Sequence, residues 1–268
     1  MKAKLLLLVM LCSLAGDTMP VNAQEPEYEL VFSDEFNLPN GSRPDPTKWS
    51  TSPRANTTWA RWVSNSPKVA YIKKGNLVCK GIPNKSEPAD TARMLTGSVE
   101  TKDKFSFQYG KVEVRMKTNL RPGNFPAIWM TPQFSRTSDK RYGEIDIVEM
   151  FGNEGKAAHT VHTHRTLTLK KEGIKREFRE KIDVTQWHIY GIIWTKDKIV
   201  WTLDGKQVGE YRKINTPEMQ AEGQWTFDRP FFLRLNQSVG DGSHPLLTAN
   251  YKKTYETRFD WVRIYKQK

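Results

Sequence analysis

An all-β sandwich is the fold class that this sequence predicts, on three observations. No segment keeps a 3.6-residue apolar period for three turns, so no long amphipathic helix is expected. Residues 109–117 alternate with a period of two: Val112, Val114 and Met116 oppose Glu113, Arg115 and Lys117, the pattern of a strand with one buried face. Similar short runs recur along the chain between turn-forming residues, as they do in a sandwich.

The first segment does not belong to that fold. Lys2 and Lys4 precede an apolar run from Leu5 to Leu14, followed by polar residues and Val21-Asn22-Ala23. This is the layout of a signal peptide over residues 1–23, cleaved before Gln24. The run is too short to cross a bilayer, and no later stretch approaches the roughly 18 apolar residues a membrane helix needs. Residues 24–268 are therefore expected to form one exported, soluble domain with no membrane span. Cys12 leaves with the signal, and Val9-Met10-Leu11 before it lack the small residues of a lipoprotein cleavage box, which disfavours lipidation. Cys79 then stands alone, so no intramolecular disulfide forms and stability must come from the core.

Within the domain, strands are expected at 29–32, 69–72, 77–80, 109–117, 125–130, 144–150, 159–164, 188–194, 199–203, 206–211, 231–236 and 259–265. Asp204-Gly205 joins two of them as a tight hairpin, because both turn positions tolerate positive φ. Polar, Gly- and Pro-rich stretches at 39–67, 83–92, 135–141 and 166–181 read as loops, and loops of that length often rim a binding site. The first holds Trp59 and Trp62, which must pack either on a polysaccharide or on the edge of the sandwich. The sequence shows no internal repeat, low-complexity segment or interdomain linker.

The formal charge is +12, the pI near 9.6, the mean hydropathy −0.66, and nine residues are tryptophan. Residues 165–181 carry Arg165, Lys170, Lys171, Lys175, Arg176, Arg179 and Lys181 against Glu172, Glu177 and Glu180, and Arg136, Lys140 and Arg141 lead into the acidic strand described next. Such a field concentrates polyanions. A solvated basic surface, screened over ~8 Å in physiological salt, is the plainer account. Nucleic acid is not an expected partner: the chain has no recognition helix and no aromatic RNA-binding motif, and export removes the usual target.

Chemistry concentrates in residues 142–152. Alternation puts Glu144 and Asp146 on one face of a strand and Ile145 and Ile147 on the other. A regular strand would then aim Glu149 into the core, a costly place for a carboxylate. A β-bulge at Ile147-Val148 returns Glu149 to the acidic face, and bulges are common beside active sites. Four effective steps of about 3.3 Å place the Glu144 and Glu149 backbones roughly 13 Å apart, a gap that side chains leaning inward on a concave sheet close toward ~5.5 Å. That separation is the one used for retention, with one carboxylate attacking the anomeric carbon and the other serving as acid and then base. Asp146 between them splits their proton affinities by like-charge repulsion and hydrogen bonding. A solvent-facing acidic strand or a calcium patch is the alternative.

This segment resembles the signature of glycoside hydrolase family 16 in its bulged Glu-x-Asp-x-x-Glu form. So, in order, do residues 32–36, Lys48-Trp49, 75–77, 104–113, 125–129, 160–162, 193–195, Asp204-Gly205 and 260–265. The resemblance implies a jelly-roll of two antiparallel sheets with a substrate cleft on the concave one, filled out by a single glycoside hydrolase catalytic domain over 24–268. It implies Glu144 as nucleophile, Asp146 as its assistant and Glu149 as acid/base, with no cofactor for catalysis. It further suggests Trp129 as floor of the cleft and His162 close to Glu149. One of Asn236 and Gln237 offers an amide to the sugar, opposite parity allowing only one to face the cleft. Many family members hold a structural calcium, here matched by Glu35 (Asp34 is adjacent), the carbonyl of Gly75, and Asp260.

The implied activity is endo-acting cleavage of β-1,3 or β-1,4 linkages in a galactose- or glucose-containing polysaccharide or host-type glycan, by a monomer. Two departures blur the sugar: Asn56-Thr-Thr-Trp-Ala-Arg-Trp62 stands where laminarinases carry Asn-Glu-x-Gln, and Ser-Asp-Lys-Arg-Tyr142 replaces a Trp-Pro-rich turn. Galactans are favoured over plain laminarin on that ground, and an endo-β-1,3(4)-glucanase is the alternative. A non-catalytic lectin on the same sandwich is the rival from another class.

Overall fold

The computed structural model describes residues 27–85, 87–134 and 139–268. The expected signal peptide, Cys12 and Arg136 lie outside the described residues. Fifteen strands are present: β1 (Tyr28–Asp34), β2 (Ser50–Thr51), β3 (Ala70–Ile72), β4 (Leu77–Pro83), β5 (Met94–Glu100), β6 (Gly110–Thr118), β7 (Asn124–Pro132), β8 (Glu144–Glu149), β9 (Lys156–His162), β10 (Glu177–Lys181), β11 (His188–Trp194), β12 (Lys198–Leu203), β13 (Lys206–Arg212), β14 (Phe231–Val239) and β15 (Tyr255–Gln267). Two short helices, α1 (His164–Leu167) and α2 (Pro217–Ala221), accompany them. The all-β expectation holds.

The strands pair antiparallel in the order β10-β9-β8-β7-β14-β5-β4-β15-β6-β11-β12-β13, with β1 on β15, β2 on β5 and β3 on β4. β10 and β13, at the two ends of this order, come into contact, so the sheet curves nearly into a barrel. The layer β10-β9-β8-β7-β14-β5 faces the layer built on β15-β6-β11-β12, and β4 paired to β5 joins them. Between the layers lie Tyr190, Trp194, Trp201, Phe227, Phe231 and Phe259, all fully buried. Aromatic side chains of this size bury 150–250 Å² each. Cys79 is buried in that core, and desolvation pushes its thiol far above the usual range, leaving it inert.

Period-two alternation is realised in β6, where every second side chain is buried, and Asp204-Gly205 makes the expected hairpin with positive φ at both positions. Three strands depart from the sequence expectation: β2, which lies within the expected loop 39–67, β5 and β10. β5 has no apolar run, because Thr96, Ser98 and Glu100 occupy one face and Gly97 interrupts the other. Gly97 is required there: a Cβ would meet the carbonyl oxygen of Val69 at 2.0 Å. The expected loop at 166–181 ends in β10, an edge strand whose charged residues mask the pattern while Phe178 packs on Trp201 at 5.5 Å.

Candidate active site

The pair registers lay out the acidic face residue by residue. Across five strands run Thr160, Asp146, Trp129, Arg234 and Glu100. A neighbouring row runs Ala158, Glu149, Ala127, Asn236 and Ser98. On the other side His162 stands opposite Glu144. Trp59, Phe125, Ala127, Trp129, Glu144, Asp146, Glu149 and Asn236 line one cavity, so the three carboxylates share a cleft with two tryptophans.

What brings Glu149 into this cleft is the bulge. Against β7, Asp146 pairs with Trp129 and Val148 with Ile128, leaving Ile147 as the extra residue; against β9, the register slips between Asp146 and Glu149. A bulge strands backbone carbonyls that the ladder would have satisfied. Here side chains take them: Trp201 Nε1 donates to Asp146 O at 2.9 Å, and His159 Nδ1 lies 2.6 Å from Ile147 O. Burial lowers the pKa of His159, so the ring is neutral and Nδ1 carries the donated proton.

The three acids differ in their surroundings. Glu144 accepts a hydrogen bond from Tyr142 Oη at 2.8 Å. Its pKa is pushed up to about 7, by burial first and by the charge of Asp146 second, while His162, Tyr142 and Arg234 pull it back. Glu149 is pushed well above the carboxylate range by burial, then by Asp146, Glu144 and Glu177, against a smaller pull from Arg179. Ala158 and Ala127 flank it in the adjacent strands. Asp146, 2% exposed, lies 3.3 Å through Oδ2 from His162 Nε2. Burial lowers the pKa of His162, but the hydrogen bond and charge of Asp146 and the charge of Glu144 outweigh it and raise the value overall. Among the described residues, Glu144, Asp146 and His162 form the one group of three with donor atoms near enough for a metal, all within 4.8 Å; the histidine–carboxylate pair already accounts for their approach.

Aromatic residues build the floor and one wall. The Trp59 and Trp129 rings meet edge to face at 4.8 Å. The Arg234 guanidinium lies 4.1 Å from the Trp129 ring centre and 4.8 Å from that of Trp59, and its Nε donates to Glu100 at 2.8 Å. Trp129 Nε1 donates to Asn236 Oδ1 at 2.7 Å, Asn236 Nδ2 to Ser238 Oγ at 2.9 Å, and Ser238 Oγ to the carbonyl of Trp59 at 2.6 Å. This chain of hydrogen bonds ties the loop bearing Trp59 to the sheet bearing Trp129.

The structure decides two open alternatives, Trp62 and the pair Asn236/Gln237, and corrects the expectations for the Asn236 amide and for His162. Trp62 is 9% exposed and packs with Met94, Val239 and Tyr255, edge-on to Tyr251, so it closes a satellite core and not the cleft. Gln237 points away from the acids: its amide donates to Asn124 Oδ1 and Ser238 O, and its Oε1 accepts from Thr257 Oγ1. Asn236 is the one on the cleft face, but its amide is committed to Trp129 and Ser238. His162 faces Glu144 and Asp146 and not Glu149, because the antiparallel register sets it opposite Glu144 and carries Glu149 along to Ala158.

The residues that the resemblance matched to calcium ligands are engaged by neighbouring side chains. Glu35 is held bidentately by Arg263 at 2.9 and 3.1 Å, and Asp260 pairs with Arg115 while accepting from Asn76 Nδ2 at 3.0 Å. Gly75 O accepts from Asn76, and the adjacent Asp34 is spent on Phe36 N and Trp49 Nε1. Sequence reading also missed Tyr142, His159, Trp201 and Arg234. Only Tyr142 left a signal, two residues before Glu144 on the same face.

The family model of Glycosyl hydrolases family 16 matches residues 57–263. A keratan-sulfate endo-1,4-beta-galactosidase from Sphingobacterium multivorum is 34% identical over 242 residues, covering 90% of this chain and 56% of the relative. A beta-glucanase from Rhodothermus marinus is 31% identical over 239 residues, covering 85% and 81%. The chain thus spans about half the length of the first relative. Among solved structures, SCLam, a non-specific endo-beta-1,3(4)-glucanase, superposes with a TM-score of 0.77 at 26% identity, covering 91% of this chain and 95% of the other. The laminarinase from Rhodothermus marinus does so at 0.74 and 28%, covering 91% and 99%.

Proposed function

The chain belongs to Glycosyl hydrolases family 16, and from that premise we propose that it is a retaining, endo-acting β-glycoside hydrolase. The observation that carries this reading is the bulged strand that turns Glu144, Asp146 and Glu149 into one tryptophan-lined cleft. Their surroundings sort the roles. Glu144, with Tyr142, His162 and Arg234 all favouring its charged form, is the nucleophile; Glu149, flanked by alanines and raised by burial and by its acidic neighbours, is the acid/base. Glu149 gives its proton to the leaving oxygen as Glu144 attacks the anomeric carbon, and then takes a proton from the water that releases the sugar. The charge of Asp146 raises the proton affinity of both carboxyls, and its Oδ2 holds His162.

Internal β-1,3 or β-1,4 linkages of a galactose- or glucose-containing polysaccharide or host-type glycan are the proposed target, with galactose favoured. The similarity to a keratan-sulfate endo-galactosidase supports galactose, and that to a β-glucanase supports the alternative. Charge adds little. Arg165 and Lys171 are paired with Glu222, Arg176 with Glu172, and Arg179 with Glu154 and Glu177, so four of the seven basic residues in this stretch are ion-paired. The enzyme would act as a secreted monomer. No helix among the described residues is long and apolar enough to cross a membrane.

The test is a product profile from laminarin, mixed-linkage glucan, agar, porphyran, keratan-type chains and mucin O-glycans, for wild type and Glu144→Gln. Oligosaccharides from a galactose-containing chain, with viscosity falling before reducing ends accumulate, are expected from wild type alone. Products from laminarin only would move the assignment to the glucanase. Tight binding with no turnover in either protein would make the chain a lectin.

A further inference from the structure

We propose that Tyr142 is a positioning residue for the nucleophile: its phenol holds Oε2 of Glu144 and leaves Oε1 as the attacking atom. This rests on the assignment of Glu144 as nucleophile. The hydrogen bond is 2.8 Å long, and among the described residues Tyr142 alone hydrogen-bonds the Glu144 side chain. The phenol is not free to wander. Tyr142 is 7% exposed, its backbone N–H donates to Asp139 O at 2.8 Å, and Asp139 Oδ1 in turn accepts from Arg141 N at 2.8 Å. Gly143 fixes the approach of the strand, since a Cβ there would sit 2.4 Å from Thr226 Oγ1 and 2.9 Å from the Phe227 ring.

A carboxylate has two oxygens, and a fixed donor on one makes them unequal. In the first step Oε1 forms the bond to the anomeric carbon, the glycosidic bond breaks, and the leaving oxygen takes the proton of Glu149. The resulting ester keeps Oε2 as its carbonyl oxygen, still facing the phenol. In the second step water bonds to the anomeric carbon, its proton passes to Glu149, and the bond to Oε1 breaks, returning negative charge to a carboxylate that Tyr142 stabilises. One donor therefore serves twice, keeping the resting nucleophile ionised and easing its departure. The other charges acting on Glu144 are Asp146 and Glu149 from its own strand, His162 from β9 and Arg234 from β14, with Arg176 acting on His162. Burial also pushes the Tyr142 phenol far above its usual range, so it stays a donor at every working pH.

The test is Tyr142→Phe, read two ways. Titration of the Glu144 carboxyl by carbon-13 NMR, assigned by its loss in Glu144→Gln, should have its midpoint raised by roughly one pH unit, the worth of one hydrogen bond to a charged group. The acid limb of kcat/KM should move with it, and a glycosyl-enzyme trapped with an activated fluoroglycoside should turn over roughly tenfold more slowly. Replacing the tyrosine with a fluorinated analogue, a stronger donor, should move the Glu144 midpoint down, and this covers a Phe variant that folds poorly. A Glu144 midpoint unchanged in both variants overturns the inference. Full activity of Glu144→Gln would instead overturn the nucleophile assignment.

Discussion

The indole N–H of Trp201, on β12 of the facing layer, donates to the carbonyl oxygen of Asp146 at 2.9 Å. Asp146 is the residue at which β8 leaves its regular register. Trp201 is fully buried, so the bond crosses the core and meets the catalytic strand from behind. The bulge that presents Glu149 to the cleft is therefore supported from the opposite side of the molecule.

Replacing Trp201 with Phe should leave that carbonyl buried without a donor, at a cost of about 1–3 kcal/mol before any loss of packing. Because the bulge would relax, turnover should fall while the product pattern stays the same. Urea unfolding measures the first effect and steady-state kinetics the second. An unchanged midpoint would mean that the bulge stands without this bond.

Glu144→Gln and Glu149→Gln should each lower turnover by several orders of magnitude with the fold intact, because both groups act in both half-reactions. Each should also stabilise the protein above neutral pH. The folded pKa of both acids is raised, to about 7 for Glu144, so the native state binds their protons more tightly than the unfolded chain does. Wild-type stability is then full below the unfolded value near 4.5 and declines as pH rises through about 7. Melting temperatures of wild type and the Gln variants should converge at low pH and separate at pH 8. Parallel curves would contradict the raised values.

Azide should rescue Glu149→Ala on a substrate with a good leaving group, and the product should be the β-glycosyl azide. Acid assistance is dispensable there, and removing the Glu149 carboxyl leaves room for the anion where water would be activated. NMR of the anomeric proton reads the outcome. An α-azide would exclude double displacement.

Chelation should not change the melting temperature, because Glu35 and Asp260 are already paired with Arg263 and Arg115. Arg263→Met is expected to lower stability by no more than about 1 kcal/mol, since that pair is well exposed to solvent. A fall of several degrees in EDTA, restored by calcium, would return the ion to this corner of the fold.

Much of the molecule was legible because its logic is periodic. Alternation in β6 and the Asp204-Gly205 hairpin follow from one-dimensional spacing, and the bulge at Ile147-Val148 follows from the cost of burying Glu149. β5 was not legible: both its faces are covered, its cleft face is polar, and Gly97 looks like a strand breaker until the Val69 carbonyl beside it is known. β10 was hidden because an edge strand carries charge wherever it meets water.

The sequence by itself determined the class of fold, the three carboxylates and the need for an irregularity between them, because these depend on the order of residue types along one strand. Tertiary structure alone decided which of Asn236 and Gln237 meets the cleft, that Trp59 lines it while Trp62 fills a core, and that His162 faces Glu144. It also brought Trp201 and Arg234 to the acids. Those choices turn on strand register and on which layer faces which, and both are set by packing between segments far apart in the chain.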